Sequence, residues 1–290
     1  MQIIMLNGGL GNQLFQYIFA RYIEKNSADN CMIDDSAFWG NNVEHNGYEV
    51  DKIFLGKHLP KLSDYFSSDV WNEMLKNRDE GMTIPSQLLN AGMDISFIKE
   101  YGSGDTSFTG IEEIFDEAML NYHKNNYFYG YWLSSKYLAA IKSDIKKEFK
   151  FKLANMAKNK YIIDKIKASK NSVAIHIRRG DMVKLGWVAS TEYFKEAISK
   201  VKNIVSADNY FLFSDDINWC KVNARKLGLI DILNKLTIID WNDNENAYMD
   251  MYLMSLCNHR ISDRSSFSLL AGLLCDCSYK IDINNWNKNR

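Results

Sequence analysis

The sequence predicts an α/β protein whose sheets are parallel. Three observations carry this: a strand–turn–helix–strand opening over 2–35, strands alternating with helices from 173 to 275, and a Lys-rich amphipathic stretch over 134–169 between them. Strands that alternate with helices of these lengths need right-handed crossovers, which gives parallel pairing.

The first strand is the apolar run QIIML (2–6), and "NGGLGNQ" (7–13) turns the chain into a helix. Leu14, Phe15, Tyr17, Ile18, Ala20 and Tyr22 continue at helical spacing, and CMIDD (31–35) is the next strand. Residues 36–130 are irregular and aromatic, and acceptor-contacting side chains are expected there. The stretch 134–169 is solvated helix, with a domain boundary at 160/161. Beyond it the predicted strands are 173–178, 209–214, 236–240 and 259–262, each leading into a helix. Ligands of such sheets bind beyond the carboxyl ends of the strands, where Arg178, Asp215 and Ser265 fall.

Over 290 residues, 46% are hydrophobic and 24% charged, a globular balance with material for sizeable cores. A net charge of −1 argues against a nucleic-acid partner. The five cysteines show no zinc or CxxC spacing and are expected to be free buried thiols. "MQIIMLNGG" has no basic leader and no apolar run is long enough to span a bilayer, so a cytoplasmic protein is expected, with or without peripheral attachment at the inner membrane. No Walker loop, Gly-x-Ser-x-Gly elbow or His-Glu-x-x-His pattern supports a kinase or hydrolase.

Two motifs carry chemistry. In the first, Gly8, Gly9 and Gly11 approximate a dinucleotide loop, but Leu14 stands where the third glycine belongs. It is either a bare βα turn or a backbone that lets a substrate approach, with Gly11, Asn12 and Gln13 at a helix start. The second, "HIRRGD" (176–181), ends a strand. His176 and Arg178 share one face, and Arg178 and Arg179 can grip a diphosphate through paired N–H groups. The competing reading is a surface ion-pair cluster. Asp181 either accepts a proton or orients an arginine. The "RGD" letters carry no adhesion reading in a chain without an export signal. Further on, Asp215 or Asp216 suits a helix N-cap, Asp250 lies in an apolar helix, and Ser265 and Ser266 precede another helix, a place for capping or phosphate.

Taken together, "GGLGNQLFQYIFAR", "HIRRGD", "FSDDINWCK", "YMDMYLMSLCNH" and "SSFS" resemble the bacterial α-1,2-fucosyltransferases of glycosyltransferase family 11, in the family's order and across nearly the whole chain. The resemblance implies a GT-B-like fold of two Rossmann-like α/β domains with a cleft between them. Residues 1–160 would take the acceptor side and 161–290 the nucleotide sugar. It implies inverting transfer of L-fucose from GDP-β-L-fucose, a co-substrate, to the 2-hydroxyl of a galactose-terminated oligosaccharide or lipid-linked glycan, without cofactor or metal. Arg178 would hold the β-phosphate with Arg179 in support. His176 and Asp250 would meet guanine and ribose. Ser265, Ser266 and Phe267 would lie at the diphosphate, and Asn12 near fucose and acceptor.

The chain departs from the family's usual "ANSSFSWWGAWL". Arg264 stands in place of Asn, and Leu269-Leu270 replace a tryptophan pair. The pocket floor is therefore expected to be repacked. A nucleotide-sugar-binding protein without catalysis, and a fucosyltransferase of another linkage, are the alternatives these departures leave open.

Overall fold

The structure, a computed structural model, describes residues 1–27, 30–41, 43, 45–53, 58–100, 117, 124–275 and 279–282. The chain forms two compact units, Met1–Lys152 and Leu153–Arg290. The expected 160/161 boundary would cut a helix, Met156–Ala168; the division lies ahead of it.

The first unit opens with strand β1 (Gln2–Met5), helix α1 (Leu10–Ser27) and strand β2 (Cys31–Asp34). The region that sequence patterning left irregular contains helices α2 (Ser68–Asp79) and α3 (Ile84–Asn90) and strands β3 (Ile95–Lys99) and β4 (Asn125–Tyr129). Helix α4 (Ser135–Glu148) completes it. The order is β2-β1-β4-β3, all parallel. One face packs Ile3, Met32 and Tyr127 on Trp71, Leu75 and Leu88. Elsewhere in the unit Phe19 of α1 stacks on Trp132, with centroids 4.1 Å apart. Full burial of side chains of this size contributes about 1.5–3 kcal/mol each.

In the second unit α5 (Met156–Ala168) leads to β5 (Ser172–Ile177), α6 (Gly180–Leu185), α7 (Thr191–Ile204) and β6 (Asn209–Ser214). Then come α8 (Ile217–Val222), β7 (Leu236–Ile239), α9 (Tyr248–Leu256), β8 (His259–Ser262), α10 (Ser266–Leu274) and β9 (Tyr279–Asp282). All pairings are parallel, in the order β7-β6-β5-β8-β9. Val173, Ile175 and Ile177 pack on Phe194, Ile198 and Val201 of α7, so His176 is left to the opposite face, as strand alternation requires.

Cys31, Cys220 and Cys257 are free and buried, whereas Cys275 is disulfide-bonded, against the expectation of free thiols. Cys277 lies outside the described residues. No described helix is long and apolar enough to cross a membrane.

Candidate active site

Strand order locates the site. From β5 the chain steps outward through β6 to β7, then returns to place β8 on the other flank of β5. The reversal between β5 and β8 is the topological switch point, where ligands of open parallel sheets bind. The loops leaving these two strands carry Arg178–Arg179 and Asp263–Ser265.

Asp263 joins the two loops. Its Oδ2 accepts the Arg178 backbone N–H, and its Oδ1 lies 3.2 Å from His176 Nδ1. With Nδ1 donating to that carboxylate, His176 Nε2 is the acceptor-capable nitrogen. The imidazole also lies against Phe267, with ring centroids 5.9 Å apart. Asp263 was not among the residues expected from sequence; its signal was a carboxylate at a strand end just before a helix N-cap.

The Arg178 guanidinium is gripped twice. Nη2 donates to Asp181 Oδ1 at 2.6 Å, and Nη1 lies 2.6 Å from Asp215 Oδ2. The side chain remains 31% exposed, enough to meet a ligand. Arg179 is committed elsewhere. Its guanidinium lies over the Trp219 ring at 3.6 Å, its Nε donates to Asp216 Oδ2 at 3.3 Å, and its backbone N–H donates to Asp215 Oδ1 at 2.8 Å. Asp216 also caps α8, accepting the Trp219 N–H at 3.0 Å, as its sequence position predicts. A Cβ at Gly180 would sit 2.6 Å from Asp215 Oδ2, so a side chain there would press on the carboxylate that grips Arg178. The charged loop is shorter than "HIRRGD" suggests. α6 begins at Gly180, so Asp181 stands in the first turn of a helix.

Ser265 is the N-cap of α10, yet its side chain makes no cap hydrogen bond to the helix. Ser266 and Phe267 follow, half-buried. Beneath them the buried Arg260 donates to the carbonyls of Ser268 at 2.5 Å and Leu269 at 3.0 Å. A Cβ on Gly272 would lie 1.5 Å from Arg260 Nη1. Leu270 is fully buried and Leu269 half-buried, at the positions where the family resemblance leads one to expect a tryptophan pair.

Asp250 belongs to a different network. Its Oδ1 accepts from Asn242 Nδ2 at 2.8 Å, and Asn242 exchanges amide hydrogen bonds of 2.9 and 3.1 Å with Asn159 of α5. Burial pushes its carboxyl up to about 8, only partly offset by Asn242. It is tied to the loop after β7 and not to the arginine loop.

In the first unit the corresponding reversal falls between β1 and β4. The glycine loop leaves β1 there, but α1 begins at Leu10, so Gly11, Asn12 and Gln13 occupy its first turn. Gln13 is fully buried. Its Nε2 donates to the carbonyls of Gly8 at 2.9 Å and Gly47 at 3.0 Å, while its Oε1 accepts the Glu49 N–H at 2.9 Å. It is an internal brace, with no amide group left for a substrate, contrary to the expectation from sequence. Gly11 is buried, and Asn12 is the half-buried side chain of the three. Among the described residues no group of His, Cys, Asp or Glu gathers to hold a metal ion.

The family model for Glycosyl transferase family 11 matches residues 105–290. An alpha-1,2-colitosyltransferase of Escherichia coli is 27% identical over 92% of this chain and 84% of its own length. The O-antigen biosynthesis glycosyltransferase WbnK of the same organism is 22% identical over 91% of this chain and 86% of its own. Among solved structures, POFUT1 in complex with GDP-fucose superposes with a TM-score of 0.55 at 14% identity, over 97% of each chain. That likeness shows the fold, the two-domain GT-B plan.

Proposed function

The chain belongs to glycosyl transferase family 11, and we propose that it transfers L-fucose from GDP-β-L-fucose to the 2-hydroxyl of a terminal galactose. The product is an α-1,2 linkage in a bacterial surface polysaccharide. The observation that carries the reading is the Arg178 guanidinium, fixed at the switch point by Asp181, Asp215 and the Asp263-anchored backbone.

Breaking the fucosyl C1–O bond builds positive charge on the sugar and negative charge on the departing diphosphate. A preorganised guanidinium aimed at that oxygen stabilises the transition state, and losing one such donor costs about 2.7–4 kcal/mol of barrier. In this reading Arg178 performs the charge neutralisation that a metal supplies elsewhere. Ser265, Ser266 and the first-turn N–H groups of α10 receive phosphate oxygens. Phe267 and His176 line the pocket, and Asp250 meets the nucleobase. Arg179 supports the loop from the Trp219 face. Asp181 positions Arg178, its Oδ1 accepting from the guanidinium Nη2 at 2.6 Å. The first unit takes the acceptor, with Asn12 at the sugar. The enzyme would work on the cytoplasmic side, at most peripherally attached.

The O-antigen assignment of the 22% relative supports a polysaccharide acceptor. The 27% relative favours a second reading in which the donor carries colitose, and Arg264 with Leu269-Leu270 is where donor selectivity would differ. The test is GDP release from GDP-fucose over a panel of β-galactosides, with chelator present. Turnover insensitive to the chelator is expected. Failure of GDP-fucose to bind or react with any of them removes the fucosyl reading, and turnover of GDP-colitose alone selects the second.

A further inference from the structure

Asp250 stands in the first turn of α9, beyond the carboxyl end of β7, the end at which open parallel sheets take their ligands. The Asn242 amide holds one of its oxygens, Oδ1, at 2.8 Å. Among the described residues no group donates to Oδ2, and this oxygen is not sealed in, because the residue is only half-buried. A carboxyl with one oxygen held by the protein and the other open can receive N–H donors from a ligand.

The two amides behind it are saturated. Asn242 Nδ2 donates to Asp250 Oδ1 and, at 3.1 Å, to Asn159 Oδ1. Its Oδ1 accepts from Asn159 Nδ2 at 2.9 Å and from Asn155 Nδ2 at 3.3 Å. Asn159 is fully buried on α5. It also donates to the Ala154 carbonyl at 2.9 Å and accepts the Trp241 indole N–H at 2.8 Å. An amide has two donor hydrogens and two acceptor lone pairs, so flipping either asparagine would set N–H against N–H. One orientation of Asn242 satisfies the network, and it presents an N–H to Asp250. The carboxyl is thereby placed from α5, through the loop after β7.

We infer that Asn242, locked by Asn159, is the positioning residue that makes the donor site selective for a guanine-type base. The inference rests on the donor reading above, in which Asp250 meets the nucleobase. Guanine carries two neighbouring N–H donors on one edge, its ring N–H and its exocyclic amine. Oδ2 and the remaining lone pair of Oδ1 can accept both at once. Hypoxanthine keeps the ring N–H and lacks the amine, and adenine turns a ring-nitrogen lone pair toward the carboxyl. A site built to pair a ligand's N–H groups rejects analogues that leave its acceptor unpaired. Asn242 touches no substrate in this scheme; it acts by keeping Oδ2 turned to the base.

The test compares dissociation constants of GDP, inosine diphosphate and ADP by calorimetry, without acceptor. Native protein is expected to prefer GDP over inosine diphosphate by about tenfold or more, the effect of one hydrogen bond to a charged group. Asn242→Ala should bring that ratio to within about threefold of unity, while affinity for inosine diphosphate stays within about threefold of native. Asn159→Ala keeps the bond from Asn242 to Asp250 but unlocks the amide, so it should lose a smaller share of the preference. Because Asn242 acts through Asp250, adding Asn242→Ala to Asp250→Ala should change the ratio no further. A folded Asn242→Ala that keeps the native ratio overturns the inference, as does a folded Asn159→Ala that keeps it where the first variant does not fold. So does a loss shared equally by GDP and inosine diphosphate, which marks a role in folding alone. Native protein that binds GDP and inosine diphosphate alike overturns it and leaves the transfer reading standing, whereas native protein that binds no GDP sinks both.

Discussion

The arginine loop after β5 and the glycine loop after β1 occupy equivalent places, each at the reversal of a parallel sheet, yet they are built from opposite materials. The first is a lattice of fixed charge in which two guanidiniums face Asp181, Asp215 and Asp216, while Asp263 accepts the Arg178 backbone N–H. The second is built mainly of amides from Gln13 and Gln16 and backbone carbonyls, with the Glu49 carboxyl on its turn paired to Lys52. In the proposed reaction charge suits the loop assigned to the diphosphate, and closeness of approach suits the loop assigned to the sugar.

If that division is right, breaking the charged loop costs catalysis most. Arg178→Lys removes the forked geometry that holds two carboxylates at once and that the proposed function aims at a phosphate, and a point-charge ammonium does not replace it. Turnover should fall about 10²- to 10³-fold, while circular dichroism and thermal unfolding stay near native. A fully active variant would remove Arg178 from the mechanism.

Breaking the glycine loop should cost stability instead. Gln13→Ala leaves the buried Gly8 carbonyl and Glu49 N–H, and the half-buried Gly47 carbonyl, without their amide partner. An unsatisfied buried group costs about 1–3 kcal/mol, so the first unit should melt earlier while GDP binding to the second is kept. Equal loss of both would contradict the separation drawn here. The milder Asp181→Asn sharpens the comparison. As a positioning residue its loss should lower kcat by less than about tenfold, whereas a base would cost 10²- to 10⁴-fold.

The two loops also differ in how far sequence revealed them. Alternation and strand–helix rhythm were enough for the parallel sheet of the second unit, because β5 and β6 are buried runs with clear periods. They failed over 36–130, where β3 and β4 are short, mixed in polarity and separated by many residues. Charge clusters announce themselves in one dimension, so His176, Arg178 and Asp181 were legible. Asp263 was not, since its partner, Arg178, lies far along the chain. Gln13 misled for the same reason: an amide at a helix start looks available until the turn that consumes it is seen.

Asp250 crosses the division, a single carboxyl of the second unit set among neutral amides, and it supplies the subtlest test. Burial raises its carboxyl from 3.8 to about 8. Between those values the folded protein keeps a proton that the unfolded chain has released, so this group's contribution to stability falls as pH rises through that window. Asp250→Asn abolishes the dependence: its melting temperature should match native near the lower value and exceed it increasingly toward the upper one. The same proton reports on donor binding. A nucleobase presenting N–H donors to Asp250 would favour the carboxylate, so GDP binding at neutral pH should release a proton, seen as a buffer-dependent calorimetric enthalpy that Asp250→Asn loses. An enthalpy independent of buffer in the native protein would detach Asp250 from the nucleobase and leave it a tie between α9 and the loop after β7.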